Sequence, residues 1–147
     1  MSDIMNVPRS PGTYMLVLHL PEPHTLMVGK LGQFDFPAGY YLYAGSARGG
    51  LSGRVSRHLR ADKKLHWHID YLNSQQGGAE VVDVWWQTRR ERLECEFADA
   101  AKGLPGASLP ALGFGASDCG CDTHLVHVNE KPNITGIEKS AGLSLES

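Results

Sequence analysis

The strongest constraint on the fold is an apolar run near the N-terminus, Gly12–Leu20, with the sequence GTYMLVLHL. Its β-branched, aromatic and long aliphatic residues favour strands, so the run predicts a central strand of a sheet. The strand should end at residues 21–23, PEP, because proline has no amide hydrogen for a sheet ladder. Further strands are predicted at about 24–28, 31–36, 40–44, 79–87 and 123–128.

Helical patterns follow a polar, glycine-rich turn at residues 45–50. Apolar residues recur at helical spacing from Leu51 to Arg60, and a short second helix is predicted at 67–72. A third helix is predicted from about Thr88, where Glu91 completes a capping-box pattern, to about residue 102. The chain therefore mixes strands and helices.

Length and composition limit the class of protein. The chain has 147 residues, 41% of them hydrophobic, which suits one domain with its own core. We assign that domain to residues 1–128 and predict a mobile tail at 129–147, which lacks large apolar residues in periodic order. The net charge of −2 means that nucleic-acid binding would need a local basic patch. No stretch approaches the roughly 20 apolar residues of a membrane-spanning helix, so no membrane partner is expected.

The three cysteines favour a reducing environment. Cys119 and Cys121 are awkwardly spaced for a mutual disulfide, and residues 1–9 lack the pattern of a signal peptide, so we expect a cytoplasmic protein. Cys119, Cys121 and His124 are also residue types that bind zinc. Candidates for a fourth zinc ligand are His66, His68 and Cys95. The C-x-C-x-x-H spacing is not standard for structural zinc, which favours cysteines that pack as small buried hydrophobes.

Three short motifs occur in a fixed order. GTY at residues 12–14 begins the first strand, YAGSA at 43–47 ends a later one, and RVSRH at 54–58 follows on the first helix. This order resembles the GIY-YIG nuclease family, in which two signature strands pair and a helix then supplies an arginine. Runs at 67–71 and 113–124, and Glu94-Cys95, are similar to an uncharacterised GIY-YIG-like subfamily found alone or fused to endonuclease III.

The resemblance implies an α+β fold, with a small central, mainly antiparallel β-sheet flanked by helices. The two signature strands are farther apart here than in a typical family hairpin. An inserted β-ribbon, roughly His24 to Phe36, would account for the extra length. The second motif has Ala44 where isoleucine is usual, but it keeps the tyrosine and the glycine.

The residue types in these motifs suit phosphodiester hydrolysis. The reaction needs an activated water, neutralised charge on the phosphate oxygens and a stabilised leaving alkoxide. A divalent cation held by one carboxylate can neutralise charge, because magnesium keeps several waters and needs few protein ligands. A tyrosine hydroxyl can orient or deprotonate water near a cation, and the planar fork of arginine binds phosphate.

The resemblance implies a role for each matching residue. Tyr14 would serve as general base or water-orienting group, and Tyr43 would support the water network. Arg54 would clamp the scissile phosphate, with His58 as a neighbouring hydrogen-bonding group. Singly, the two tyrosines would be ordinary half-buried strand residues and Arg54 a solvated helix residue. Their joint order with flanking glycines favours a site.

Two glutamates on the third helix compete as ligand of the Mg²⁺ or Mn²⁺ ion. Glu94 shares a helix face with Phe97 and Ala98 and should point toward the sheet. Glu96 shares the opposite, polar face with Asp99. We therefore predict Glu94 as the metal ligand.

A basic patch lies beside the candidate site. The predicted nucleic-acid contacts are Arg48, Arg57, Arg60, Lys63 and Lys64. We expect a metal-dependent endonuclease that hydrolyses phosphodiester bonds in DNA, with DNA repair and a repair-protein partner suggested by analogy to the endonuclease III fusions. The alternative is a non-catalytic nucleic-acid-binding or accessory module with the same fold. The same residue types would suit RNA as well as DNA.

Overall fold

The elements of the fold are those of a computed structural model that describes residues 7–60, 64–65, 67–74, 77–88, 93–115, 122–141 and 145. In chain order they are β1 (Gly12–Leu20), β2 (His24–Val28), β3 (Gly32–Phe36), β4 (Gly39–Ala47), α1 (Leu51–Leu59), α2 (His68–Leu72), β5 (Glu80–Gln87), α3 (Glu94–Lys102), β6 (Leu125–Val128) and α4 (Ile134–Ala141). The predicted α+β fold with a mainly antiparallel sheet is confirmed.

The apolar run at residues 12–20 is a central strand, as predicted. The main sheet has the order β5-β1-β4-β6, and its strands pair antiparallel. Leu16 and Leu18 of β1 pack into the core on one face of the sheet, and Met15 and Val17 pack into the core on the other. Because both faces are covered, apolar residues follow one another along the strand without alternation.

The ribbon between the signature strands is also confirmed. Strands β2 and β3 form a separate two-stranded antiparallel sheet inserted between β1 and β4. Val28 and Phe36 at its ends are buried, and the Phe36 ring lies 6.2 Å from that of Phe114. The ribbon thus packs on the core through one face and lengthens the connection without disturbing the pairing of β1 with β4.

The third helix begins later than its local pattern predicted. Strand β5 continues to Gln87, and α3 begins at Glu94, with residues 89–92 outside the described part of the chain. The Thr13 hydroxyl accepts a hydrogen bond from the Leu93 amide, 3.2 Å away, just before the helix. This contact ties the start of α3 to β1 and so fixes the position of Glu94.

Part of the predicted C-terminal tail is helical. Residues 134–141 form α4, which packs against α3, and the Ile137 side chain is fully buried. The Leu145 amide donates to the Glu138 carboxylate, and Leu145 is itself buried. The few apolar residues of this segment are enough because the neighbouring helix provides the surface that they cover.

Candidate active site

The two signature motifs meet in the pairing of β1 with β4. Tyr14 lies directly opposite Gly45 in the register, and the Tyr14 ring crosses the Gly45 backbone where a Cβ would otherwise stand. Any larger residue at position 45 would collide with that ring. Tyr43, two residues before Gly45, lies on the same face of the sheet in the same core.

His58 joins the two tyrosines on the face covered by α1. Its Nε2 lies 2.8 Å from the Tyr14 hydroxyl, within hydrogen-bonding distance, and the Tyr43 ring meets it edge-on at 6.4 Å between centroids. His58 is 1% exposed. The structure therefore brings together three of the predicted site residues from β1, β4 and α1.

Burial keeps both tyrosine hydroxyls neutral. It raises the pKa of Tyr14 well above the ordinary 10.0, and the neighbouring Arg54 guanidinium offsets this only in part. Burial, followed by the proximity of Tyr14, likewise raises the pKa of Tyr43 well above 10.0. Because the Tyr14 hydroxyl is already protonated, it can accept a further proton only if it gives up its own proton at the same time.

Ser46 links the predicted phosphate clamp to the predicted metal ligand. Its carbonyl oxygen accepts a hydrogen bond from Arg54 Nη1 at 2.9 Å, and its hydroxyl donates to Glu94 Oε2. Glu94 is 6% exposed at the start of α3, whereas Glu96 is exposed. The predicted directions of the two glutamates are thus confirmed. The motif contained Ser46, but no local signal assigned it a partner.

Trp67 contacts two arginines of α1. The Arg54 guanidinium carbon is 4.4 Å from the centroid of a Trp67 ring, and that of Arg57 is 4.1 Å away. Both distances suit cation–π contacts. The Arg54 guanidinium thus contacts both the Trp67 indole and the Ser46 carbonyl.

Arg57 is engaged within the protein. Its Nη1 and Nη2 each donate to an Asp70 carboxylate oxygen at 2.8 Å, and Nη2 also donates to the Lys64 carbonyl at 2.9 Å. Asp70 is fully buried. The structure therefore places Arg57 in an internal ion pair, although the sequence predicted a nucleic-acid contact. The sequence placed Asp70 near the cleft but did not predict its ion pair with Arg57, since no local pattern identifies a partner 13 residues away.

Of the four remaining predicted nucleic-acid contacts, the structure describes three. Arg48 follows β4, Arg60 follows α1, and Lys64 comes soon after; all three are exposed. Lys63 lies outside the described residues.

Of the predicted zinc residues, the structure describes only some. Cys95 is disulfide-bonded, and its Sγ lies 3.8 Å from His124 Nε2. Cys119 and Cys121 lie outside the described residues. Within the part of the chain that the structure describes, no three or more His, Cys, Asp or Glu residues are grouped to hold a metal ion.

His68 anchors the loop that follows α3. Its Nδ1 accepts a hydrogen bond from the Gly115 amide at 2.8 Å, and burial lowers its pKa from 6.5. The Gly115 backbone also lies against the Tyr43 ring. His68 therefore supports the site from α2 by fixing a loop.

These features define an α+β domain with a buried polar site at the junction of β1, β4, α1 and α3. A family model described as "Domain of unknown function DUF123" matches residues 13–145, and the chain belongs to that family. No curated protein and no solved structure matches the chain. Among the described residues, no helix is long and apolar enough to cross a membrane.

Proposed function

We propose that this chain is a divalent-metal-dependent endonuclease of the GIY-YIG type that hydrolyses phosphodiester bonds in DNA. The proposal rests on one observation: a tyrosine, an arginine and a glutamate from three separate elements meet beside a buried histidine. Tyr14 hydrogen-bonds His58, and Ser46 joins Arg54 to Glu94. From the resemblance we also propose a role in DNA repair and a repair protein as partner. We propose a cytoplasmic location from the cysteine spacing alone, although the Cys95 disulfide is unusual in a reducing compartment.

The donor set at Glu94 fits a magnesium or manganese ion. Magnesium needs only one or two carboxylates when substrate phosphate and water supply the other oxygens. Glu94 would hold the ion, with the Ser46 hydroxyl orienting its carboxylate. When bound, such an ion neutralises charge on the phosphate and on the leaving oxygen.

Arg54 is the residue best placed to hold the phosphate. A guanidinium has five N–H donors, so Arg54 can keep its bond to the Ser46 carbonyl and still donate to phosphate oxygens. The stack on Trp67 limits the rotation of the guanidinium. An arginine already held by two contacts gives up less side-chain entropy when it binds.

Proton transfer would run from water through Tyr14 to His58. Because the Tyr14 hydroxyl is neutral, it accepts the proton of the attacking water as its own proton moves to His58 Nε2, 2.8 Å away. The Glu94 and Asp70 carboxylates are near enough to raise the pKa of Tyr14.

A cleavage assay tests the proposal. The protein is incubated with supercoiled plasmid, branched DNA and single-stranded DNA, with Mg²⁺, Mn²⁺ or EDTA. We expect metal-dependent cleavage that falls by at least about 100-fold in Arg54→Ala and in Glu94→Gln, since each substitution removes charge stabilisation at the phosphate. Glu94→Gln should leave DNA affinity largely intact.

Glu96→Gln is the matched control, because it makes the same change on the exposed face of the same helix. It should cleave like the wild type. Unchanged cleavage by Glu94→Gln would refute the metal assignment. Salt-sensitive DNA binding by a wild type that cuts none of these substrates would instead support a non-catalytic nucleic-acid-binding module.

A further inference from the structure

We infer that Ser46 is a positioning residue. Its side chain orients Glu94, the proposed metal ligand, and its main-chain carbonyl orients Arg54, the proposed phosphate clamp. The inference rests on the proposed function, because it assigns Ser46 to the same site. Its hydroxyl donates to Glu94 Oε2, and its carbonyl accepts from Arg54 Nη1 at 2.9 Å. One residue of β4 thus contacts both charged groups.

The backbone that carries Ser46 is held firmly. Ser46 pairs with Thr13 of β1. The Thr13 hydroxyl in turn accepts a hydrogen bond from the amide of Leu93, the residue before Glu94. The residue before Ser46 is Gly45, whose backbone lies under the Tyr14 ring. Two consecutive residues of β4 therefore fix the tyrosine, the arginine and the glutamate relative to one another.

The hydroxyl matters because a glutamate side chain has many rotamers. Glu94 is 6% exposed, so its carboxylate is largely removed from water and needs a hydrogen-bond donor from the protein. The Ser46 hydroxyl supplies one such donor and favours one orientation of the carboxylate. Hydrogen bonds of this kind commonly change metal affinity by about 10- to 100-fold when they are removed.

The two contacts of Ser46 can be separated by mutation. Ser46→Ala removes the hydroxyl but keeps the carbonyl that Arg54 uses, whereas Ser46→Thr keeps both. Affinity for Mn²⁺ is measured without DNA by electron paramagnetic resonance of the free ion. Affinity for DNA is measured in EDTA, where the metal makes no contribution. Thermal unfolding checks that each variant is folded.

We expect Ser46→Ala to weaken Mn²⁺ binding by about tenfold or more and Ser46→Thr to restore it to within about threefold of the wild type. DNA affinity in EDTA should stay within about twofold in both variants, because the main-chain contact to Arg54 is intact. This separation distinguishes a positioning role from a general loss of structure, which would lower both affinities together.

Other outcomes would overturn the inference. Wild-type affinity for Mn²⁺ in Ser46→Ala would show that the hydroxyl does not orient Glu94. If Ser46→Ala does not fold, Ser46→Thr decides, and a tenfold loss in that folded variant would refute the assignment. A wild type that neither binds Mn²⁺ nor cleaves DNA would reject the proposed function itself, and the inference with it.

Discussion

The ion pair between Arg57 and Asp70 allows a quantitative prediction. The Asp70 side chain is 0% exposed and that of Arg57 is 20% exposed. Asp70 accepts two bonds from the guanidinium and one from the Trp67 amide, each at 2.8 Å. Asp70→Ala removes these acceptors together and leaves the arginine beside the indole without its counter-ion.

Removing one partner of a buried pair costs about 3–5 kcal/mol, because the other charge stays desolvated. Arg57 keeps some exposure and can turn partly toward water, so we expect the lower end, about 3 kcal/mol. Asp99→Ala is the matched control, since Asp99 pairs with Lys102 at 3.4 Å and its side chain is 71% exposed. Exposed pairs contribute about 0–1 kcal/mol.

Urea denaturation followed by tryptophan fluorescence and circular dichroism measures both changes. The double variant Arg57→Ala/Asp70→Ala should lose less stability than the sum of the two single variants, because neither charge is then left alone. A loss in Asp70→Ala of less than about 1 kcal/mol, or no larger than that in Asp99→Ala, would refute the view that this pair is buried and coupled.

Two further predictions concern the cysteines and pH. The Cys95 disulfide uses two of the three cysteines, so unfolded, unreduced protein should show one titratable thiol per chain; three thiols with one equivalent of zinc would indicate a metal site instead. Burial lowers the pKa of His68 from 6.5, so the unfolded chain binds that proton more strongly, and stability should fall as pH drops below 6.5. Denaturation at about pH 7.5 and about pH 5 should show a smaller pH effect in His68→Gln, and an identical effect in both proteins would contradict this.

Local patterns were sufficient to predict most of the sheet. The run at residues 12–20 and the ribbon were both predictable, because strand residues and turn signals act over a few positions. The start of α3 was not predictable in this way. The capping pattern predicted a helix from about Thr88, but β5 pairs with β1 as far as Gln87. The helix at 134–141 depends on the packing of Ile137 in the core beside α3, which no local period reveals.

Two sequence signals predicted parts of the candidate site: the order of the motifs gave Tyr14, Tyr43 and His58, and helix periodicity gave the direction of Glu94. The inward direction of Glu94 could be deduced from its helix face, and the structure confirms that it is buried. The partners of Ser46 and Arg57 could not be deduced, because each bond joins segments whose approach depends on the complete fold. Basic residues that look equivalent in the sequence therefore differ in the structure.

That difference changes the charge balance of the proposed site. Arg57 is neutralised by Asp70, so it contributes little positive charge to a phosphate. Arg54 and Glu94, joined through Ser46, together carry no net charge. A phosphodiester gains negative charge as it is attacked, and these residues alone would not compensate it. A divalent cation bound to Glu94 would make the net charge of these groups positive. The proposed reaction should therefore depend on metal even though Arg54 is already in place.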